Sequence, residues 1–320
     1  MEARVSWEPH VAPRVTIADA VEQFMTLIES PAKNLRRSSV HHNKPLFYGT
    51  QAKWHTWRPG LLEFSAGKGL TLLAEMDLAT LREFAATWRL GPSTTSVQFQ
   101  LLRRFFRFCI EAKWMKENPA QALEDPRNGK PAPTLPFDVD TLPQPGREWQ
   151  AIVEQCQGKA RLLALTLLMR HAGLRISDAA TFNRNRIMAD GSIFLYPHKT
   201  GQPVTIPMHP ELKAALDAIA PNGGGYYFWS GDSAITTATD NWRRRYERLF
   251  KAAGIENGHP HRLRDTFAMD LLVRGVPLDQ VSILLGHSSV KITEKHYLEF
   301  VAAWRQRCTM DGRALITIDL

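Results

Sequence analysis

The sequence predicts two consecutive units, the first all-helical and the second mainly α with a small antiparallel sheet (a mixed α+β unit). Three observations carry this fold class. Apolar residues recur at helical spacing through most of the chain. Residues 125–145 are proline-rich with little periodicity, which reads as an inter-domain linker. Beyond the linker, two short β-like runs, SIFLYP (192–197) and PVTIPM (203–208), flank the turn HKTGQ and give a hairpin signal.

Taken in order, residues 1–15 form an N-terminal extension, with acids and a proline where a signal peptide needs an apolar core. In 16–30, Ile17, Ala20, Val21, Phe24, Leu27 and Ile28 predict a helix. The stretch 31–60 is basic and aromatic (Lys33, Arg36, Arg37, Trp54, Trp57) and is expected to be loop plus a helix. Leu78, Leu81, Phe84 and Trp88 predict a helix over 77–89. STTSVQFQLLRRFFRFCIEAKW follows, with Leu101, Leu102, Phe105, Phe108 and Cys109 as its apolar stripe and Ser93, Thr94 or Thr95 as cap. Arg103, Arg104 and Arg107 fall off that stripe, on a basic face suited to solvent or to phosphates. After the linker, helices are expected at 146–156, 158–172, 210–220, 238–253, 262–274 and 277–285, with a last helical run around Tyr297. The glycines of NGGGYYF lack a GxxxxGK[ST] context and read as a turn.

At 320 residues each unit has enough chain for its own core. A net charge of +8 and a pI near 9.5 favour polyanionic partners, nucleic acid first and an anionic membrane surface second. Cys109, Cys156 and Cys308 are widely spaced, with no CxxC or metal-ligand pattern, as fits a reducing cytoplasmic compartment. The longest apolar run, near LLALTLLM (162–169), is far short of a membrane span.

Four stretches hold the polar residues of interest. In RHAGLRISDAATF, Gly173 breaks a helix just before Arg175, so that guanidinium sits at a junction. Lys199 lies in the hairpin turn HKTG. In HPHRLRDTFAMDLLVRG, Leu263, Phe267, Leu271 and Leu272 define a buried face, while His261 and Arg264 share one side of the first turn, a favourable place for an oxyanion or phosphate. In LLGHSSVKITEKHY, His287 follows Gly286, Tyr297 comes ten residues later, and Thr293 is a candidate cap for the helix carrying it. Singly, each residue has an ordinary explanation: a solvated lysine, an arginine salt-bridged to Asp178, a partly buried tyrosine.

Together and in this order, the four stretches resemble the tyrosine recombinase family, that is, phage-type integrases and Xer-like recombinases. The pattern Arg…Lys…His-x-x-Arg…His/Trp…Tyr is filled by Arg175, Lys199, His261, Arg264, His287 and Tyr297. The early run ending in "NPA" also looks like the close of that family's helical core-binding domain. The resemblance implies a SAM-like core-binding domain over 16–124, a catalytic domain over 146–300, and a tail over 301–320 docking on a neighbouring protomer. Asp265 stands where many members carry a second histidine, a position that is not catalytic in the family. The His287–Tyr297 spacing is one residue longer than the commonest form.

The resemblance implies attack by Tyr297 on a DNA phosphodiester, giving a 3′-phosphotyrosine and a free 5′-hydroxyl. The residue types suit that step. A phenol with a pKa of ~10 is scarcely ionised at neutral pH, so a base must take its proton, and His261 is the candidate. Arg175 and Arg264 can clamp the non-bridging oxygens, Lys199 can protonate the leaving alkoxide, and His287 can hydrogen-bond the phosphate. The link conserves the phosphodiester's energy, so no ATP is required, and with arginines, lysine and histidines supplying the positive charge no metal is required either. The implied partners are double-stranded recombination sites, bound as a dimer per site and a tetrameric synapse, with accessory DNA-bending proteins as a further option. Arg103, Arg104 and Arg107, with Arg243, Arg244 and Arg245 in NWRRRYERLF, are then expected on the DNA backbone. The expected setting is bacterial or phage, in the cytoplasm at the nucleoid, serving integration or excision of a mobile element. A type IB-like topoisomerase and a catalytically silent DNA-binding protein on the same scaffold are the alternatives.

Overall fold

The computed structural model describes residues 14–29, 48–126, 136–137 and 147–310. The expectations for 1–13, for Lys33, Arg36 and Arg37, for most of the linker and for the segment beyond 310 lie outside these residues. The chain divides into two compact units, Met1–Pro131 and Ala132–Leu320.

The first unit comprises α1 (Ile17–Glu29), α2 (Tyr48–Gly67), α3 (Leu78–Ala86) and α4 (Pro92–Glu111). α1 turns Ile17, Ala20, Val21, Phe24, Met25 and Ile28 inward. The Phe24 ring meets Trp54 of α2 at 4.8 Å and Phe105 of α4 at 5.5 Å, both edge-to-face, so aromatic packing joins three helices. The cap expected at Ser93–Thr95 is corrected: Gly91 is the N-cap and Pro92 opens α4, where its missing N–H breaks no helical bond.

Arg103 corrects a second expectation. Its guanidinium turns back onto the chain, donating to the carbonyls of Ala120 (3.3 Å) and Leu123 (2.5 Å) and pairing with Asp125 at 3.1 Å. Asn118 donates to the Arg103 carbonyl at 2.9 Å and caps the 3₁₀ turn Pro119–Ala122. The "NPA" segment leaves carbonyls in need of donors, and Arg103 supplies them, so only Arg104 and Arg107 of the trio stand exposed.

The second unit comprises α5 (Arg147–Gln155), α6 (Ala160–Ala172), α7 (Ile176–Ala180), β1 (Ile193–Leu195), β2 (Val204–Ile206), α8 (Pro210–Asp217), α9 (Ile235–Ala252), α10 (His261–Val273), α11 (Leu278–Leu284) and α12 (Val290–Met310). The strands pair antiparallel, Ile193 opposite Ile206 and Leu195 opposite Val204, with these four side chains buried. Gly258 precedes α10 closely and touches Phe250 of α9, where a Cβ would lie 2.6 Å from the ring.

α10 is the centre of this unit. The sequence suggested one buried face; in the structure eleven of its thirteen residues are buried, because α6, α11 and α12 all pack on it. Two of its buried charged side chains, Arg262 and Asp270, are accordingly paired. Arg262 meets Glu148 at 2.8 Å and lies over the Phe137 ring at 4.1 Å. Asp270 accepts from Arg170 of α6 at 2.9 Å and from Arg274 at 3.0 Å. Asp270→Ala leaves Arg170 buried with no anion beside it, an expected loss of ~3–5 kcal/mol read from the urea midpoint.

α12 runs on to Met310, past the residue-300 boundary expected for the tail. Val301 joins Tyr297, Val281, Leu285 and Phe267 in a core shared by α10, α11 and α12. Among the described residues no helix is long and apolar enough to cross a membrane. Cys109 and Cys156 are buried free thiols, and burial pushes Cys109 up to about 12, far from a reactive thiolate.

Candidate active site

Arg175 owes its position to Gly173. α6 ends there with φ of +60°, and a Cβ at that residue would collide with the Phe267 ring of α10, so glycine is required on both counts. The chain re-enters a helix at once, with Arg175 as N-cap of α7. Its Nη1 is buried and has no hydrogen-bond partner. A charged donor left unmatched in a protein interior is costly, and it marks a place where an anion belongs.

The hairpin is anchored on two sides. Asp178, buried in α7, accepts the His198 backbone N–H at 2.8 Å. At the other side a Cβ on Gly286 would lie 3.0 Å from Val204 Cγ2 and 3.2 Å from Pro197 Cγ, so the hairpin base packs closely on the end of α11. Lys199 stands exposed on the turn between these anchors.

Arg264 is almost wholly buried on the first turn of α10. Its Nη1 donates to the Gly173 carbonyl and its Nη2 to the Leu285 carbonyl, both at 2.6 Å, so one guanidinium satisfies the C-terminal ends of α6 and α11. Nη2 also lies 3.1 Å from His287 Nε2. Since arginine only donates, Nε2 accepts, and the ring proton sits on Nδ1, which bonds Thr293 Oγ1 at 2.8 Å. Burial first, and then the charges of Arg264 and Arg175, lower the His287 pKa to about 3 and keep the ring neutral. Both ring nitrogens are therefore engaged within the protein, and His287 links Arg264 to Thr293 of α12. Thr293 is correspondingly not a cap; α12 begins at Val290 and Thr293 faces inward one turn before Tyr297.

Tyr297 is 5% exposed, and its hydroxyl donates to Asp265 Oδ1 at 2.8 Å. Burial first, then the charge of Asp265, raises the Tyr297 pKa, while Arg264 and Arg175 pull it the other way. Asp265 Oδ2 is buried without a partner, and burial pushes that carboxyl up to about 6. His261 Nε2 lies 3.8 Å from Asp265 Oδ1, with half its side chain exposed. Desolvation, then Arg264 and Arg175, lower the His261 pKa to about 4. The group hydrogen-bonded to the phenol is thus Asp265, with His261 on the exposed side of that carboxylate. In the sequence Asp265 stood out only as a departure from the histidine that many members carry after the arginine, one helical turn from His261.

Elsewhere, Arg243, Arg244 and Arg245 are exposed on α9, fanned over about 200° as consecutive helical residues must be. Arg243 pairs with Asp240 at 3.0 Å and Arg245 lies over Trp242 at 4.5 Å. His171, His209 and Glu211 bring nitrogen and oxygen atoms within 4.8 Å of one another. The two imidazoles stack with planes 4° apart, so their in-plane lone pairs run parallel and do not converge on one ion.

Residues 145–302 match the Phage integrase family. Tyrosine recombinase XerC of Rhodospirillum centenum is 31% identical over 238 residues, covering 71% of this chain and 69% of its own. Among solved structures, a lambda integrase dimer bound to a COC′ core site superposes with a TM-score of 0.68 at 16% identity, covering 97% of this chain and 81% of that one. A lambda integrase tetramer bound to a Holliday junction gives 0.67 at 16% identity, covering 88% and 77%.

Proposed function

The chain belongs to the tyrosine recombinase family, and from that premise we propose that it breaks and rejoins DNA at specific sites through a 3′-phosphotyrosine on Tyr297. The observation that carries the reading is the unpaired, buried Nη1 of Arg175, within electrostatic reach of both Arg264 and the Tyr297 hydroxyl. Those two guanidiniums hold the non-bridging oxygens of the scissile phosphate and stabilise the charge that builds there during attack. Lys199, on its anchored turn, gives a proton to the departing 5′-oxygen. His261, on the open side, carries the phenolic proton away through Asp265. The six residues Arg175, Lys199, His261, Arg264, His287 and Tyr297 form the set, with His287 acting through Arg264.

The lambda integrase relatives are a dimer on a core site and a tetramer on a Holliday junction, and we extend that mode here: a dimer per site and a tetrameric synapse. Arg104, Arg107 and the arginines of α9 meet the backbone, so affinity falls steeply between roughly 50 and 200 mM salt. The biological role we assign is integration or excision of a mobile element. The test is incubation of wild type and Tyr297→Phe with a nicked suicide substrate. Wild type is expected to accumulate a covalent protein–DNA adduct and Tyr297→Phe none; an adduct from the phenylalanine variant overturns the assignment. Strand exchange between two sites then separates recombination from simple relaxation of supercoils.

A further inference from the structure

We propose that Asp265 is a catalytic residue: it orients the Tyr297 hydroxyl and takes its proton as the phenol attacks. This rests on Tyr297 being the nucleophile, and goes beyond it by assigning the first proton acceptor to a residue that the recombinase pattern leaves out.

Geometry carries the assignment. The hydroxyl points at Asp265 Oδ1 at 2.8 Å, a normal O–H···O hydrogen-bond distance, and that bond lies buried between α10 and α12. It fixes the phenol's orientation, leaving the lone pairs of Oη to face away from the carboxylate. The second carboxylate oxygen, Oδ2, is buried and unbonded, so no partner competes for an incoming proton. His261 Nε2 stands 3.8 Å from Oδ1 on the exposed side. The titratable and charged groups around the pair are His261, Arg262 and Arg264 on α10, Arg175 at the head of α7, His287 after α11 and His296 on α12.

The step balances. The Tyr297 Oη–P bond forms as the P–O5′ bond breaks; the phenolic proton passes to Asp265, and the 5′-oxygen leaves with a proton from Lys199. In the second transfer the incoming 5′-hydroxyl attacks phosphorus, its proton returns to the lysine, and Asp265 returns its own to the departing tyrosine oxygen. Burial holds Asp265 at about 6, so it is ionised and able to accept a proton at neutral pH. A histidine base at about 4 would place the acid limb of the reaction two units lower.

The test measures the second-order rate of adduct formation on the nicked substrate against pH, since that quantity reports the free enzyme's groups. For wild type the rate is expected to rise through pH of about 6 and level above it. Asp265→Asn keeps an oxygen for the hydroxyl but cannot hold the proton; it should be slower by about 10²-fold or more and lose the limb, with DNA affinity by gel shift unchanged. Asp265→Glu restores a carboxylate and should recover part of the rate, with an acid limb. An Asp265→Asn protein with the wild-type rate and limb, or a faster one, overturns the proposal, the faster case showing that the carboxylate merely restrains the tyrosine. Should the asparagine variant fail to fold, a glutamate variant that reacts without an acid limb overturns it too. Absence of any wild-type adduct instead sinks the nucleophile assignment on which this rests.

Discussion

Arg264→Ala is expected to lose both reaction and fold. The guanidinium is the donor for the Gly173 and Leu285 carbonyls, so its removal strands two buried acceptors at helix ends, costing ~1–3 kcal/mol each, and opens a cavity between α6, α10 and α11. It also frees His287 Nε2, and with it the brace from Arg264 through His287 to Thr293 on the tyrosine's helix. Loss of one donor to a developing oxyanion lowers rate by roughly 10²–10³-fold, and displacement of α12 adds to that. The expected result is a lower urea midpoint together with adduct formation reduced by at least ~10³-fold. Arg264→Lys should rescue little, because an ammonium cannot span two carbonyls and a histidine as the planar fork does. A normal urea midpoint in Arg264→Ala would show that the carbonyl bonds carry no weight in the fold.

Arg175→Ala is expected to separate the same two properties. Its Nη1 is buried without a partner, and burial already lowers its pKa, so the native state bears a cost for holding this charge. Removing it should leave the urea midpoint unchanged or raised, by up to ~1–3 kcal/mol, while adduct formation falls roughly 10²–10³-fold. The contrast between the two arginines is the informative result. A binding site holds its anion-facing donor unsatisfied until the ligand arrives, and accepts lower stability for it. If Arg175→Ala destabilises the protein as much as Arg264→Ala does, Arg175 is a structural strut and not the open half of a phosphate clamp.

The helices were legible because their signal is local: i to i+4 recurrences around Phe24, Phe105 and Trp242 are present in any short window of sequence. The hairpin was legible for a similar reason, with period-two burial at Ile193, Leu195, Val204 and Ile206. The burial of α10 on nearly all sides was not, since Arg262, Asp265 and Asp270 find partners on distant segments, at Glu148, Tyr297 and Arg170. Nor was the role of Arg103, whose acceptors lie 17 to 22 positions away in a turn with no periodicity.

By itself, the sequence determined the order of the elements, the family, and the residue types available for phosphoryl transfer at Arg175, Lys199, His261, Arg264, His287 and Tyr297. How those side chains are shared out depends on contacts between segments far apart in the chain. Arg264 meets a carbonyl 91 positions away, and Tyr297 meets a carboxylate 32 positions away. The physical reason is that helix and strand preferences are properties of neighbours along the chain. A buried polar group, by contrast, takes whichever partner the packing of α6, α10, α11 and α12 brings within hydrogen-bond reach. That packing gave the tyrosine's proton an aspartate to face, where the order of residues pointed to a histidine.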